Sequence, residues 1–264
     1  MSELRPKFHY EHGIADTGRL DLYDAAIALK GIARASSIIT NAFLNGEIRT
    51  HGDGAEGAKF YIDTPKRGSF IYEATIWTAA TIGSGVFYDF IKYGFNEAVG
   101  KIYDEDNYKA LNERIEPTIG ELPAVLESSL YEIHRPIRQD KEIKLTVARP
   151  RGEKLVIFDS ETAQYLLPST IPAPHEISGN VTKYNSLTGW GKFFDLIERR
   201  TVSFNIDLNS SERQKSLITW SLHENNLRRS GLLYLSANAV VTPTGKIKRY
   251  IVHTVSDAPF PKSN

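Results

Sequence analysis

Apolar positions along this chain switch between the period of two of a strand and the period near 3.6 of a helix, and the switches outline its elements. Residues 7–13 (KFHYEHG) alternate and are rich in aromatics, a first strand. Leu22, Ala25, Leu29, Ile32, Ser36, Ile39 and Phe43 then recur every three to four residues, predicting a helix over 20–46. Asp21 is its N-cap, Asp24 favours the positive end of the dipole, and Asn45-Gly46 is a left-handed stop. Strands follow at 59–64 and 69–75, joined by a turn at 65–68. The nearly uncharged stretch 74–100 carries Ala79, Ile82, Gly83, Val86, Phe87, Phe90, Ile91 and Gly94 at helical spacing. It predicts the central helix of an N-terminal domain. Gly83 and Gly85 each disfavour a helix by up to about 1 kcal/mol relative to Ala, so the spacing predicts a close approach by the alanine-rich helix 20–46. Its 15 residues without formal charge, 74–88, fall short of the ~20 that span a bilayer.

Asp104, Glu105 and Asp106 place acid at the start of a further helix carrying Tyr108, Leu111 and Ile115, interrupted by Pro117. Leu122, Val125, Leu126, Leu130 and Ile133 form the face of another, with Pro123 in its first turn and Pro136 at its end. The basic run 134–141 (HRPIRQDK) is expected to be an exposed junction. Beyond it come strands at 142–148 and 154–158, a short helix at 160–167 stopped by Pro168, and a connector stiffened by Pro168, Pro172 and Pro174.

The last third has the more specific order. Strands are predicted at 175–185, with Gly179 marking a bulge or bend, at 190–198 and at 200–208. Ser211 and Gln214, at capping-box spacing, open a helix with Leu217, Ile218 and Leu222. Strands at 232–241 and 247–255 close the chain around the turn 243–246. Three strands, a helix and two strands resemble the OB-fold, the small five-stranded Greek-key barrel. The spaced pattern SGNVTKYN…GKFF…TVSF…GLLYLSANAVVTPTGKIKRYIVHTV is similar to the C-terminal barrel of uncharacterised bacterial two-domain proteins. The fold class expected is therefore α+β: an N-terminal helical domain with a small antiparallel sheet over 1–139, and a β-rich domain over 140–264. The second holds an OB-like five-stranded barrel at about 175–256, with one helix between its strands three and four.

Charge adds an asymmetry. The formal net charge is zero, yet residues 1–139 carry 15 Lys/Arg against 20 Asp/Glu, net −5, and residues 140–264 carry 17 against 12, net +5. Either the two surfaces attract each other or the second half meets an anion. There is no cysteine, which excludes disulfides, thiolate metal sites and cysteine nucleophiles and suits a reducing cytoplasm. The N-terminus lacks the apolar core of a secretory signal, so a cytoplasmic protein with no membrane partner is expected.

The resemblance implies a ligand surface on barrel strands two and three, where OB-folds take oligonucleotides or oligosaccharides. Single-strand binders combine cations with stacking platforms. Lys183, Tyr184, Trp190, Lys192, Arg199 and Arg200 lie on or beside that region with Phe193 or Phe194, and Lys246, Lys248 and Arg249 add charge from the last hairpin. The competing explanation is structural: a barrel needs aromatics inside and lysines on its edges.

Other candidates are thinner. His9 and His12, three apart on a strand, point to opposite faces and cannot chelate together. The glycine-rich turn 51–57 precedes a strand rather than a phosphate-cradling helix. Glu132, His134 and Arg135 sit at a helix end, a poor place for preorganised chemistry. No GxSxG, HExxH, P-loop or zinc spacing occurs. No cofactor or metal is expected, and the chain leans away from catalysis. The leading expectation is a binding protein whose barrel holds single-stranded nucleic acid or a nucleotide-like anion, with the N-terminal domain mediating assembly. A protein-interaction subunit of a bacterial complex, with a protein partner or a second copy, and an uncharacterised hydrolase or nuclease are the alternatives.

Overall fold

Helix α1 (Leu22–Asn45) begins and ends where its capping residues put it: Asp21 accepts from the Tyr23 and Asp24 amides, and Gly46 takes the left-handed conformation at φ 67°. The computed structural model describes residues 1–50, 54–63, 70–101, 109–167, 169 and 171–261. The turn expected at 65–68, the acids at 104–106 with Tyr108, Pro168 and the first half of the glycine-rich turn lie outside the described residues. The protein is α+β and divides into two units, Met1–Thr118 with Leu122–Leu167, and Ile119–Glu121 with Pro168–Asn264.

In the first unit, strands β1 (Ser2–Leu4), β2 (Lys7–Glu11), β3 (Ala58–Ile62), β4 (Phe70–Thr78), β5 (Lys144–Ala148) and β6 (Lys154–Phe158) form an antiparallel sheet of order β1-β4-β2-β5-β6, with β3 also on β4. Strand β5 pairs with β2 from His9↔Thr146 outward, so the hairpin β5–β6 completes the N-terminal sheet. That moves the division from the expected 139/140 to Leu167/Pro168. The physical reason is long-range pairing: local alternation identifies a strand but not the partner that takes its hydrogen bonds. The charge asymmetry survives the move, because residues 168–264 carry 12 Lys/Arg against 7 Asp/Glu.

One sheet face is apolar, with Phe8, Tyr10, Tyr72, Ile76, Leu145, Val147 and Phe158 buried. Tyr10 donates to the Ile133 carbonyl at 2.8 Å, and Tyr72 to that of Ala25 at 3.3 Å, tying this face to helices. Those helices are α1, α2 (Ser84–Ala98), α3 (Lys109–Ile115), α4 (Glu121–Ile133), α5 (Arg135–Gln139) and α6 (Ser160–Tyr165).

The stretch 74–100 is not one helix. Its first residues complete β4, and the helix starts at Ser84. Nor do Gly83 and Gly85 admit a neighbour: a Cβ on Gly83 would meet only Val86 at 3.8 Å, and one on Gly85 nothing within 4 Å. The close approaches are elsewhere. A Cβ on Gly94 would stand 3.1 Å from Ile39 of α1, and one on Gly31 2.7 Å from the Ser129 carbonyl of α4.

The second unit is a closed barrel. Strands β7 (His175–Tyr184), β8 (Trp190–Asp195), β9 (Arg200–Ile206), β10 (Leu233–Val241) and β11 (Ile247–Ser256) close in the order β10-β11-β9-β8-β7. Helix α7 (Glu212–Asn226), capped by Ser211, stands between β9 and β10. The β9–β11 pair is parallel and all others antiparallel. Inside pack Ile177, Val181, Phe193, Val202, Phe204, Leu233, Leu235, Tyr250 and Val252, with Ile218 of α7. Ser221 fastens that helix, accepting from the Val181 amide at 3.0 Å and donating to the Gly231 carbonyl at 2.5 Å.

Gly179 is where β7 changes partners, facing Leu233 of β10 and Asp195 of β8. A Cβ there would lie 1.9 Å from the Phe194 carbonyl oxygen, so only glycine fits. The bulge itself falls at Thr182, between the pairs Val181↔Phe193 and Lys183↔Lys192.

Candidate functional site

Because Val181, Phe193, Val202 and Phe204 point inward, the alternating residues of β8 and β9 point outward. Trp190, Lys192 and Phe194 share the outer face of β8, about 6.8 Å apart along the strand. Opposite them on β9 stand Asn205, Ser203 and Thr201. The Thr182 bulge turns Lys183 onto the same face as Lys192, its direct partner. Ser203 in turn pairs with Arg249 of β11. Lys183, Lys192, Ser203 and Arg249 therefore form one transverse row across four strands, with Trp190 and Phe194 on either side of its second member.

Exposure differs along the row. Lys183 and Arg249 are half-buried and Lys192 is 8% exposed. Trp190 is half-buried too. Within its own unit Gly120, at φ 75°, approaches the indole so closely that a Cβ would stand 3.3 Å from Cε3.

A second group collects where β9 and β11 begin. Arg199 is exposed in the β8–β9 turn in the left-handed conformation, φ 52°. Arg200 donates to the Ile247 carbonyl at 2.7 Å and approaches Glu198 at 3.5 Å. Lys246 is exposed next to Ile247. This end is held by Asp195, which is buried. One carboxylate oxygen accepts from the Ile197 and Glu198 amides at 2.7 and 3.1 Å, and the other from the Tyr250 hydroxyl at 2.6 Å. Burial, reinforced by that bond to Asp195, pushes the Tyr250 hydroxyl far above its ordinary range.

Two of the expected residues stand apart from both groups. Tyr184 pairs with Gly191 and stacks on Phe204 of the core, ring centroids 6.1 Å apart and 6° between planes. Its hydroxyl is raised by burial. Lys248 is the extra residue of a bulge between Val240↔Arg249 and Val241↔Ile247 and is 8% exposed. Of the two phenylalanines, Phe193 faces the core and Phe194 the outside. The polar partners Ser203 and Asn205 and the clamp Asp195–Tyr250 were not anticipated. The alternation around Phe204 could have found the first pair. Nothing local signals the second, whose partners are 55 residues apart.

In the first unit, Glu132, His134 and Arg135 do not converge. Glu132 meets Lys30 at 2.9 Å and Arg34 at 3.6 Å, and Arg135 meets Asp24 at 2.7 Å. The run 134–141 is not an exposed junction: His134 is fully buried and Pro136 and Ile137 lie in the core. The Leu130 carbonyl, 2.7 Å from Nδ1, accepts and so fixes the proton there; Nε2 then accepts from the Thr162 hydroxyl at 3.0 Å. Desolvation lowers this imidazole to about 4. Its role is to tie α4 to α6, not to exchange protons.

Among the described residues no group of three or more His, Cys, Asp or Glu is placed to hold a metal, and no helix is long and apolar enough to cross a membrane. Residues 7–105 match the model of a domain of unknown function, DUF7946, and residues 173–256 that of a family of unknown function, DUF7947. No curated protein and no solved structure matches the chain.

Proposed function

We propose that the barrel binds single-stranded nucleic acid on the outer face of β8 and β9, the phosphates lying along the row Lys183–Lys192–Arg249 and bases stacking on Trp190 and Phe194. The observation that carries this reading is the register: three cations from three strands fall on one line, with an aromatic on each side of the central lysine and hydroxyl and amide groups beside them. Each stacked base contributes about 1–3 kcal/mol, and the cations add a salt-dependent term. The row holds few groups able to distinguish bases, so binding is tolerant of sequence. A free nucleotide meets only part of the row and binds more weakly than an oligomer.

The test is retention of a 20-nucleotide oligo(dT) at 50 mM salt. Lys183→Glu with Arg249→Glu is the variant of choice, because Lys192 is nearly buried and Arg200 supports the Ile247 carbonyl, so reversing those would also disturb the fold. The double variant should lose at least tenfold in affinity, and the salt slope should fall by about 0.7 per phosphate contact removed. A wild-type protein that retains no oligomer, or a folded double variant that retains it equally, overturns the proposal.

A further inference from the structure

The two outer strands of the N-terminal sheet are finished differently. On β6 the Leu155 carbonyl accepts from Asn96 Nδ2 at 3.1 Å and the Ile157 carbonyl from Lys101 Nζ at 2.6 Å, so side chains at the end of α2 occupy that edge. On β3 the edge is bare. The Gly57 carbonyl accepts from the Ala79 amide at 3.0 Å and the Asp63 amide donates to the Glu73 carbonyl at 3.0 Å, which fixes the phase of the β3–β4 ladder. Gly57, Lys59, Tyr61 and Asp63 turn their backbone groups to β4, and Ala58, Phe60 and Ile62 turn theirs the other way. Of these outward groups only the Ala58 amide is taken, by the Ala55 carbonyl at 3.1 Å. The Ala58 carbonyl and both backbone groups of Phe60 and of Ile62 have no partner among the described residues.

Such an edge is a template for another strand, and its side chains select which one. Strand β3 reads AKFYI, with Lys59 exposed, Tyr61 53% and Ile62 51% exposed. The segment is complementary to itself. With Phe60 on a two-fold axis, an antiparallel pair sets Ala58 opposite Ile62 and Lys59 opposite Tyr61 of the other copy. Each Phe60 then exchanges both backbone bonds with its counterpart, and each Ile62 amide donates to the other copy's Ala58 carbonyl. No like charges meet: Lys59 lies against a tyrosine ring, and the small Ala58 leaves room for the exposed Ile62. An isologous contact requires this self-complementarity. We propose that a second copy of this chain adds to this edge, β3 pairing with β3 about a two-fold axis through Phe60 and joining the two N-terminal sheets into one. The proposal does not depend on nucleic-acid binding: it reads mass rather than retention.

Sedimentation equilibrium of the full chain between 1 and 100 µM should give a species of twice the 29.6 kDa chain mass. Ile62→Pro removes an amide that bonds nothing within the chain, at a position where an edge strand tolerates proline, and should raise the dimer dissociation constant at least tenfold. An unchanged circular dichroism spectrum verifies that the variant folds. Tyr61→Lys sets lysine against lysine and should also weaken the dimer at least tenfold, recovering at 0.5 M salt as the repulsion is screened. Tyr61→Glu sets a carboxylate against Lys59 and should leave the dimer at least as tight. A monomer throughout the range overturns the proposal. So does a dimer that Ile62→Pro leaves intact, or one that the two Tyr61 variants affect alike, since a dimer formed elsewhere would behave that way.

Discussion

The two units deal with the edges of their sheets in opposite ways. The N-terminal sheet stays open, ending in β3 on one side and β6 on the other, and buries one face under helices through bonds such as Tyr10 to the Ile133 carbonyl. The barrel closes on itself: β7 bends at Gly179 to reach both β8 and β10, and β9 and β11 join in parallel. An open sheet tolerates local change because its neighbours can shift. A closed one fixes register around the whole ring, so one misfit residue is felt by every strand. The parallel β9–β11 pair, together with the antiparallel pairs β7–β8 and β8–β9, is what aligns Lys183, Lys192 and Arg249.

Replacements of glycine break this comparison most sharply. Gly179→Val places side-chain atoms where the Phe194 carbonyl stands and should abolish the barrel, read as loss of cooperative urea unfolding for that unit. Gly85→Ala in α2 meets nothing and should stabilise the first unit by about 0.5–1 kcal/mol, read from the shift in urea midpoint. Comparable losses from both would mean the two units are equally tolerant and the contrast is false.

Acid tests the first unit at a defined point. His134 stays neutral in the folded protein down to about 4, while in the unfolded chain it takes a proton near 6.5. Its contribution is present in full above about 6.5 and is lost as pH falls towards 4, an effect of up to about 3 kcal/mol. Urea midpoints at pH 7 and pH 4.5 should show the loss in the first unit, and His134→Gln should flatten it. A flat profile in the wild type would remove the buried imidazole from this role.

A loss short of unfolding is expected at the clamp on the barrel's end. Tyr250→Phe leaves one Asp195 oxygen without its donor and should cost about 1–3 kcal/mol without loss of the fold. It also unties the β8–β9 turn, which carries Arg199, from β11 while its own bonds to Asp195 remain, so oligomer retention measured on the same variant reports whether that tie matters to binding.

Much of the architecture was legible because its signals are local. The Asp21 cap and Gly46 stop of α1, the alternation of Val202, Phe204 and Ile206, and the Ser211 cap of α7 all act within a few residues. The order of three strands, a helix and two strands was enough to expect the barrel. The stretch 74–100 misled because its lack of charge suits a buried strand as well as a buried helix, and the β4 residues Ala74 to Thr78 took the pairing offered by β1 and β3. His134 was misplaced for a related reason: a basic run looks solvent-exposed until the Leu130 carbonyl one turn back and the Thr162 hydroxyl of the distant α6 satisfy the ring.

For the candidate site, the sequence by itself determined the inventory: cations and aromatics concentrated in residues 183–200 and 246–249, in a half with excess positive charge. Only the tertiary structure decided which of them stand together. A single extra residue at Thr182 turns Lys183 outward, parity sends Phe193 and Tyr184 to the core and Phe194 to the surface, and closure through β9 and β11 brings Arg249 into line. Composition carries no information about parity or register, because both are set by hydrogen bonds between strands that are distant in the chain.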